Sequence, residues 1–163
     1  MKLLVLSDSH KNIDRMIYAA EQTAPDIILH LGDHISDAQR LSKQLPKTII
    51  YIVKGNCDYD DKGKNELFLT LEGIKILMTH GHTYGVKSGL AMLIDRARQL
   101  DAGIVLYGHT HRAALHREYK LWLMNPGQME RHDSILSASY GIVNIENGSL
   151  ECGIEMLPAD ADL

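Results

Sequence analysis

One event recurs along this chain and constrains its fold more than any other feature: a short apolar run ends and a loop of His, Asp or Asn begins. It happens five times. Lys2 to Leu6 stops at Ser7-Asp8-Ser9-His10, Asp26 to Leu31 at Gly32-Asp33-His34, and Thr48 to Val53 at Gly55-Asn56-Cys57-Asp58. Ile74 to Met78 then stops at Thr79-His80-Gly81-His82, and Ile104 to Tyr107 at Gly108-His109-Thr110-His111. Apolar runs of this length without polar alternation read as buried strands. Between the first three lie two helical spacings. Ile13, Met16, Ile17 and Ala20 form one, with Asn12 as N-cap and Pro25 past the end; Ala38, Leu41 and Leu45 form the other over Ser36 to Gln44, closed by Pro46. Strand, helix, strand, helix, strand implies a parallel sheet.

The second half reads differently. Glu66 to Leu71 and Ile74 to Met78 flank Glu72-Gly73, a hairpin turn signal. Leu90, Leu93, Ile94, Ala97 and Leu100 mark an amphipathic helix, with Gly103 where a C-cap glycine would sit. Ala113 to Tyr119, Leu121 to Met124, Ser137 to Glu146 and Ser149 to Met156 read as strands, with Asn147-Gly148 as a type I′ turn. A chain of 163 residues fits a single α/β domain over 1–157, with 158–163 as a solvated tail. Its composition, 45% hydrophobic and 23% charged, excludes disordered and collagen-like classes.

Charge and cysteine usage narrow the function. The net charge of −4, with no basic run and only Trp122 and Phe68 as Trp and Phe, argues against long nucleic acid as a partner. Cys57 and Cys152 form no motif, and the apolar runs at Leu3 to Leu6 and Ile49 to Val53 are too short for a signal peptide or a membrane span. The reading is a cytoplasmic protein without membrane association.

The loops themselves carry the chemistry. In open α/β sheets ligands gather outside the carboxyl ends of strands, so donors far apart in sequence converge there. Asp8 and His10, His80 and His82, and His109 and His111 are pairs at i, i+2, which point the same way on an extended loop. With Asp33 and Asn56 they supply imidazole, carboxylate and amide oxygen but no thiolate, a set suited to Mn²⁺, Fe²⁺ or Zn²⁺. Seven of these eight as ligands, all but His82, with one bridging carboxylate, suit two ions, each keeping a position for water. Taken singly, each loop reads as an ordinary polar turn; their joint occurrence at five strand ends does not. Other residues have plainer readings: Cys57 as a small residue in a tight loop, His30 as packed beside the site, His34 as a neighbour or further ligand, and His116 and His132 as surface residues. Arg112 stands where it could contact an anionic substrate or simply meet solvent, and Tyr84 and Lys87, at the start of the long helix, could shape the pocket or be ordinary loop and helix-start residues.

The five loops resemble the signature loops of the calcineurin-like metallophosphoesterase superfamily. The short length, Cys57 in the third loop and Asn125-Pro126-Gly127 resemble its small bacterial and archaeal phosphodiesterase branch, over roughly residues 1–150. The resemblance implies an αββα sandwich, two mixed β-sheets flanked by helices. It implies one metal held by Asp8, His10, Asp33 and His111, and a second by Asp33, Asn56, His80 and His109, with Mn²⁺ favoured over Zn²⁺, Fe²⁺ or Ni²⁺. The expected reaction is hydrolysis of small phosphodiesters by a metal-bridging hydroxide, with Asp33 and Asn56 at the chemistry and His82 and Asp58 supporting it. A phosphomonoesterase on the same site is the nearest alternative. A non-catalytic scaffold is the other, since a retromer subunit resembles this fold with part of the metal set lost. The branch also implies a homodimer or higher homo-oligomer. Two positions depart from the pattern: Cys57 stands where many members have His, which turns attention to His82 as a proton source, and Gln128 stands where the branch commonly shows Ser.

Overall fold

A computed structural model describes residues 1–59, 63–130 and 137–158. The first half alternates β1 (Lys2–Leu6), α1 (Ile13–Thr23), β2 (Ile27–His30), α2 (Ile35–Gln44) and β3 (Ile49–Ile52). Then come β4 (Glu66–Leu71), β5 (Ile74–Thr79), α3 (Ala91–Gln99), β6 (Ile104–Leu106), β7 (Ala114–Glu118), β8 (Leu121–Asn125), β9 (Ser139–Glu146) and β10 (Ser149–Met156). They form two five-stranded sheets, ordered β10-β9-β1-β2-β3 and β4-β5-β6-β8-β7. In the first, β1, β2 and β3 run parallel, with β9 antiparallel to β1. In the second, β5, β6 and β8 run parallel, with β4 and β7 antiparallel at the edges.

Strand periodicity explains the layering. In β1, Leu3 and Val5 face the second sheet, where they meet Ile76, Met78, Ile104, Leu106 and Met124. Leu4 and Leu6 point the other way, onto Met16, Ala19 and Ala20 of α1 and Leu41 of α2. Both sides of the strand are therefore buried, which is why its sequence shows no alternation. On the far side, Leu77 and Val105 pack against Leu93 and Ala97 of α3. The layers are helices, sheet, sheet, helix, so the αββα arrangement expected from the resemblance is the one observed.

Turn chemistry follows the sequence at the two hairpins. Glu72-Gly73 and Asn147-Gly148 both have positive φ at both positions (46° and 80°, 50° and 76°), as a type I′ turn requires. Two expectations are corrected. Asn12 stands at the start of α1 but does not cap it; its Nδ2 turns back to donate to the carbonyls of Ser9 and His10. Past α3 the left-handed residue is Asp101 (φ 52°) rather than Gly103, whose N–H donates to the Lys75 carbonyl at 2.9 Å. Among the described residues no helix is long and apolar enough to cross a membrane. His132 and nearly all of the expected tail lie outside the described residues.

Candidate metal centre

The five polar loops leave the carboxyl ends of β1, β2, β3, β5 and β6 and meet at one end of the sandwich. Their backbones are forced to do so. Asp8, His10, Lys11, Asp33, His34, His109 and His111 all have positive φ, seven of the twelve such non-glycine residues among those described. Such conformations cost free energy and persist where surrounding structure holds them. Two glycines allow the loops to close on one another. A Cβ on Gly55 would lie 2.0 Å from Asp33 Oδ1, and one on Gly108 would lie 2.0 Å from Ser7 Oγ and 3.0 Å from Asp8 Oδ2.

Buried side chains then brace the loops. Asp37, on the first turn of α2, accepts from Ser9 Oγ at 2.8 Å and from the Lys11 N–H at 2.7 Å. Asp58 accepts from the N–H groups of Ile35 and Gly55, so both its oxygens hold backbone. Asn125 donates to the Gly108 carbonyl and to Thr110 Oγ1, fixing the loop that carries His109 and His111. Tyr84 donates to Glu66, which also holds Arg96 at 2.5 Å, and this ties the His80 to His82 loop to the second sheet. Sequence reading gave Asp37 and Asn125 no bracing role. Their only signal is a polar residue inside an otherwise apolar pattern.

The donors converge. Ligand atoms of Asp8, His10, Asp33 and His111 all lie within 4.8 Å of one another. Asp8 and Asp33 are buried. Asp8 Oδ2 is satisfied by Ser7 Oγ (2.5 Å) and the His109 N–H (3.1 Å), but Asp8 Oδ1 and His10 Nε2 are buried without a hydrogen-bond partner. His111 Nε2 stands 3.1 Å from that Asp8 Oδ1. Beside this group, His80 Nδ1 bonds the Leu31 carbonyl at 2.9 Å, which requires a proton on Nδ1. Its Nε2 therefore faces Asn56 Oδ1 at 3.1 Å and Asp33 Oδ1 at 3.5 Å. A ring lone pair packed against two oxygens repels them unless a proton or cation lies between. The His109 ring is 5.0 Å from the His80 ring, and the His82 ring is 5.5 Å from His80 and 6.1 Å from His109, so the three imidazoles form a triangle. Orphaned acceptors, a mixed N/O donor set and enforced proximity fit divalent metal.

Electrostatics agree with that use. Burial pushes the Asp8 carboxyl up, but His111, His80 and Ser7 together outweigh it, so the group stays ionised. Burial and then the neighbouring His80 lower His109 to about 4, leaving a neutral imidazole at neutral pH. The Asp8 carboxylate, 3.1 Å from its Nε2, raises His111. Burial, followed by Asp33, pushes the Cys57 thiol up to about 11, so it is neither a thiolate nucleophile nor a useful acid. His82 is lowered by burial and His80, and its Nδ1 has no partner.

The remaining candidates separate. His30 is buried and donates through Nε2 to Ser9 Oγ (3.3 Å), while its Nδ1 accepts the Gly32 N–H (3.3 Å). His34 stacks edge-on against His10 at 4.9 Å. Arg112 and His116 are exposed. Lys87 is exposed too, yet its charge reaches His109 and His111.

Comparison with known proteins gives a consistent result. The family model for the calcineurin-like phosphoesterase superfamily domain matches residues 1–148. The chain is 34% identical over 150 residues to the probable metallophosphoesterase YsnB of Bacillus subtilis, covering 90% of this chain and 86% of that one. It is 26% identical to the phosphodiesterase YfcE of Escherichia coli, covering 88% of each. Among solved structures, Vps29 of Chaetomium thermophilum superposes with a TM-score of 0.78 at 19% identity, over 98% of this chain and 90% of that one, a likeness of fold.

Proposed function

The chain belongs to the calcineurin-like phosphoesterase superfamily, and on that premise we propose that it is a two-metal phosphodiesterase acting on small phosphodiesters. The observation that carries the reading is the group of Asp8, His10, Asp33 and His111, with donor atoms within 4.8 Å and two of those atoms buried without partners. These four would hold one ion, and Asp33, Asn56, His80 and His109 would hold the second, with Asp33 serving both. When bound, the ions acidify a water and offset phosphate charge in an in-line displacement.

The protein's own groups do the rest. Asp58, Asp37 and Asn125 hold the loops so that the donors need no rearrangement on binding. Asn56 turns its Oδ1 toward His80 Nε2, and its exposed Nδ2, which reaches only Cys57 Sγ at 3.5 Å, is free to face a phosphoryl oxygen. Leaving-group protonation is the weak step. The Cys57 thiol is too weak an acid, and His82 is held below its ordinary value by burial, so few molecules carry its extra proton at neutral pH. Esters whose leaving groups need little protonation are therefore the preferred substrates. Similarity to the YfcE phosphodiesterase supports diesters, and the net charge of −4 supports a small substrate over long nucleic acid. The positive charges of Lys54 and Lys87, which act on His82 and on His109 with His111, favour the second reading, a monoesterase.

The test is hydrolysis of paired chromogenic diester and monoester substrates by chelator-stripped protein titrated with Mn²⁺, beside Asp33→Ala and Asn56→Ala. Metal-dependent diester turnover lost in both variants is the expected result. Faster monoester turnover moves the assignment to the second reading. Metal uptake without turnover of either substrate points to a scaffold sharing only the fold.

A further inference from the structure

Each sheet has two open edges, and three of the four are guarded. β10 carries Glu151 and Glu155, β7 carries Arg117 and Glu118, and β3 has only four residues; charge and brevity are common defences against pairing with another chain. β4 has neither. It reads Glu-Leu-Phe-Leu-Thr-Leu over Glu66–Leu71, and its one charge is taken by Tyr84 and Arg96. Its backbone is also set for a partner. The two-residue turn at Glu72-Gly73 makes Leu71 and Ile74 a hydrogen-bonded pair, so by alternation Leu69 and Leu67 bond β5, while Glu66, Phe68 and Thr70 turn N–H and C=O to the open edge. Among the described residues no other backbone group takes these up. Phe68, the chain's one phenylalanine, lies opposite Leu77 but outside the cluster beneath α3, and is 42% exposed. Leu67 and Leu69 face the other way, half-buried at the open side of the core between the sheets.

We propose that β4 is the docking edge for a second copy of this chain, pairing antiparallel with its own counterpart about a two-fold axis through Phe68. The strand is complementary to itself in that register. Phe68 meets Phe68 of the partner subunit and Glu66 meets Thr70 of the partner subunit, so every outward-facing residue exchanges both its backbone bonds. On the inner face Leu67 meets Leu69 of the partner subunit, which extends the core. Past the strand ends, exposed Lys64 lies opposite Glu72 of the partner subunit, exposed and near only its own N-terminal amine at 3.9 Å, and the symmetry makes that pair twice. Neighbouring registers lose these contacts. Sliding two residues one way sets Glu66 against Glu72; sliding two the other way sets Thr70 against Lys64, whose carbonyl already accepts from the Lys54 N–H at 2.8 Å. Charge therefore selects both the register and the partner, a strand with the same basic start and acidic end. The inference does not depend on what the metal centre binds.

Sedimentation equilibrium of the full chain over a range of concentrations tests this. The wild-type protein is expected to dimerise, and Phe68→Lys, which brings two cations together on the axis, to be a monomer with the circular dichroism of wild type. Lys64→Glu is expected to weaken dimerisation about tenfold by creating two like-charge pairs, and Glu72→Lys to do the same. The double variant Lys64→Glu with Glu72→Lys restores it, because opposite charges face each other again. A wild-type protein that stays monomeric at every concentration overturns the proposal and leaves the edge to a strand from another protein. An assembly that Phe68→Lys leaves intact also overturns it, since the interface then lies elsewhere. Should Phe68→Lys fail to fold, the charge reversals decide: losses that are absent, or that add in the double variant instead of cancelling, overturn the pairing.

Discussion

The two ends of the sandwich use the same backbone conformation for different purposes. At one end, Glu72-Gly73 and Asn147-Gly148 reverse the chain with positive φ, and Asp101 follows α3 in the same conformation. These residues solve a local problem, and their neighbours in sequence suffice to hold them. At the other end Asp8, Asp33, His109 and His111 adopt similar φ values, but their conformations are held by Asp37, Asp58 and Asn125 through bonds to distant backbone. The difference is what the strain achieves. A hairpin turn redirects the chain; the donor loops redirect side chains, and redirected carboxylates and imidazoles need outside support.

The comparison can be broken first at the donors. Asp33→Ala is expected to lower metal-dependent kcat/KM by about a thousandfold or more, some 4 kcal/mol of transition-state stabilisation, and loss of less than tenfold in steady-state assays would remove Asp33 from the shared position. The layered core lies between the two ends and serves both. Leu6→Ala, which empties space between the first sheet and α1, should cost about 2–5 kcal/mol in denaturant unfolding, equally with and without metal; a cost that vanishes on metal addition would show that the ions, not the core, hold this end.

Acid separates the ends next. Buried His30 is neutral, lowered to about 4 chiefly by burial, and protonating it would sacrifice the bond its Nδ1 accepts from Gly32. The unfolded chain, with an ordinary value near 6.5, binds that proton first. Its contribution is thus complete above about pH 6.5 and is lost as pH falls towards 4, at most about 3 kcal/mol. His30→Gln should flatten that part of the stability profile, and an unchanged slope between pH 6.5 and 4 would contradict it. Asp58→Ala removes an acceptor from two backbone N–H groups and should cost roughly 1–3 kcal/mol while weakening metal uptake, read by calorimetry; unchanged uptake would mean that the third loop holds itself. Smallest is Asn147→Ala at the opposite end, about 1 kcal/mol from the positive φ, with activity untouched. A loss of activity there would erase the distinction between the ends.

Much of this was legible in the sequence, and the exceptions share a cause. The five strand ends and their donors could be read because a buried parallel strand must be apolar throughout, so its end is abrupt and polar. Glu72-Gly73 and Asn147-Gly148 could be read because a turn's demands fall on its own residues. Of the braces, the sequence points to Asp58 alone, as support for the chemistry, and what each brace holds could not be read. Asn125 reaches the Gly108 carbonyl across 17 positions, and Asp58 reaches the Ile35 N–H across 23. Any polar side chain delivered to those points would serve, so no spacing announces them. Asn12 misled for the same reason: beside an unusual loop its amide found the carbonyls of Ser9 and His10 better partners than the helix it precedes.

The bond from His80 to the Leu31 carbonyl joins the two sheets, since β2 leads into Leu31 and β5 into His80. The donors divide along the same seam, with Asp8, His10, Asp33 and Asn56 following strands of one sheet and His80, His109 and His111 following strands of the other. Any ion gripped by that set is a rivet through both layers at one end of the molecule. Sliding or parting of the layers there must then first release it, and the end richest in strained backbone becomes the end last to open.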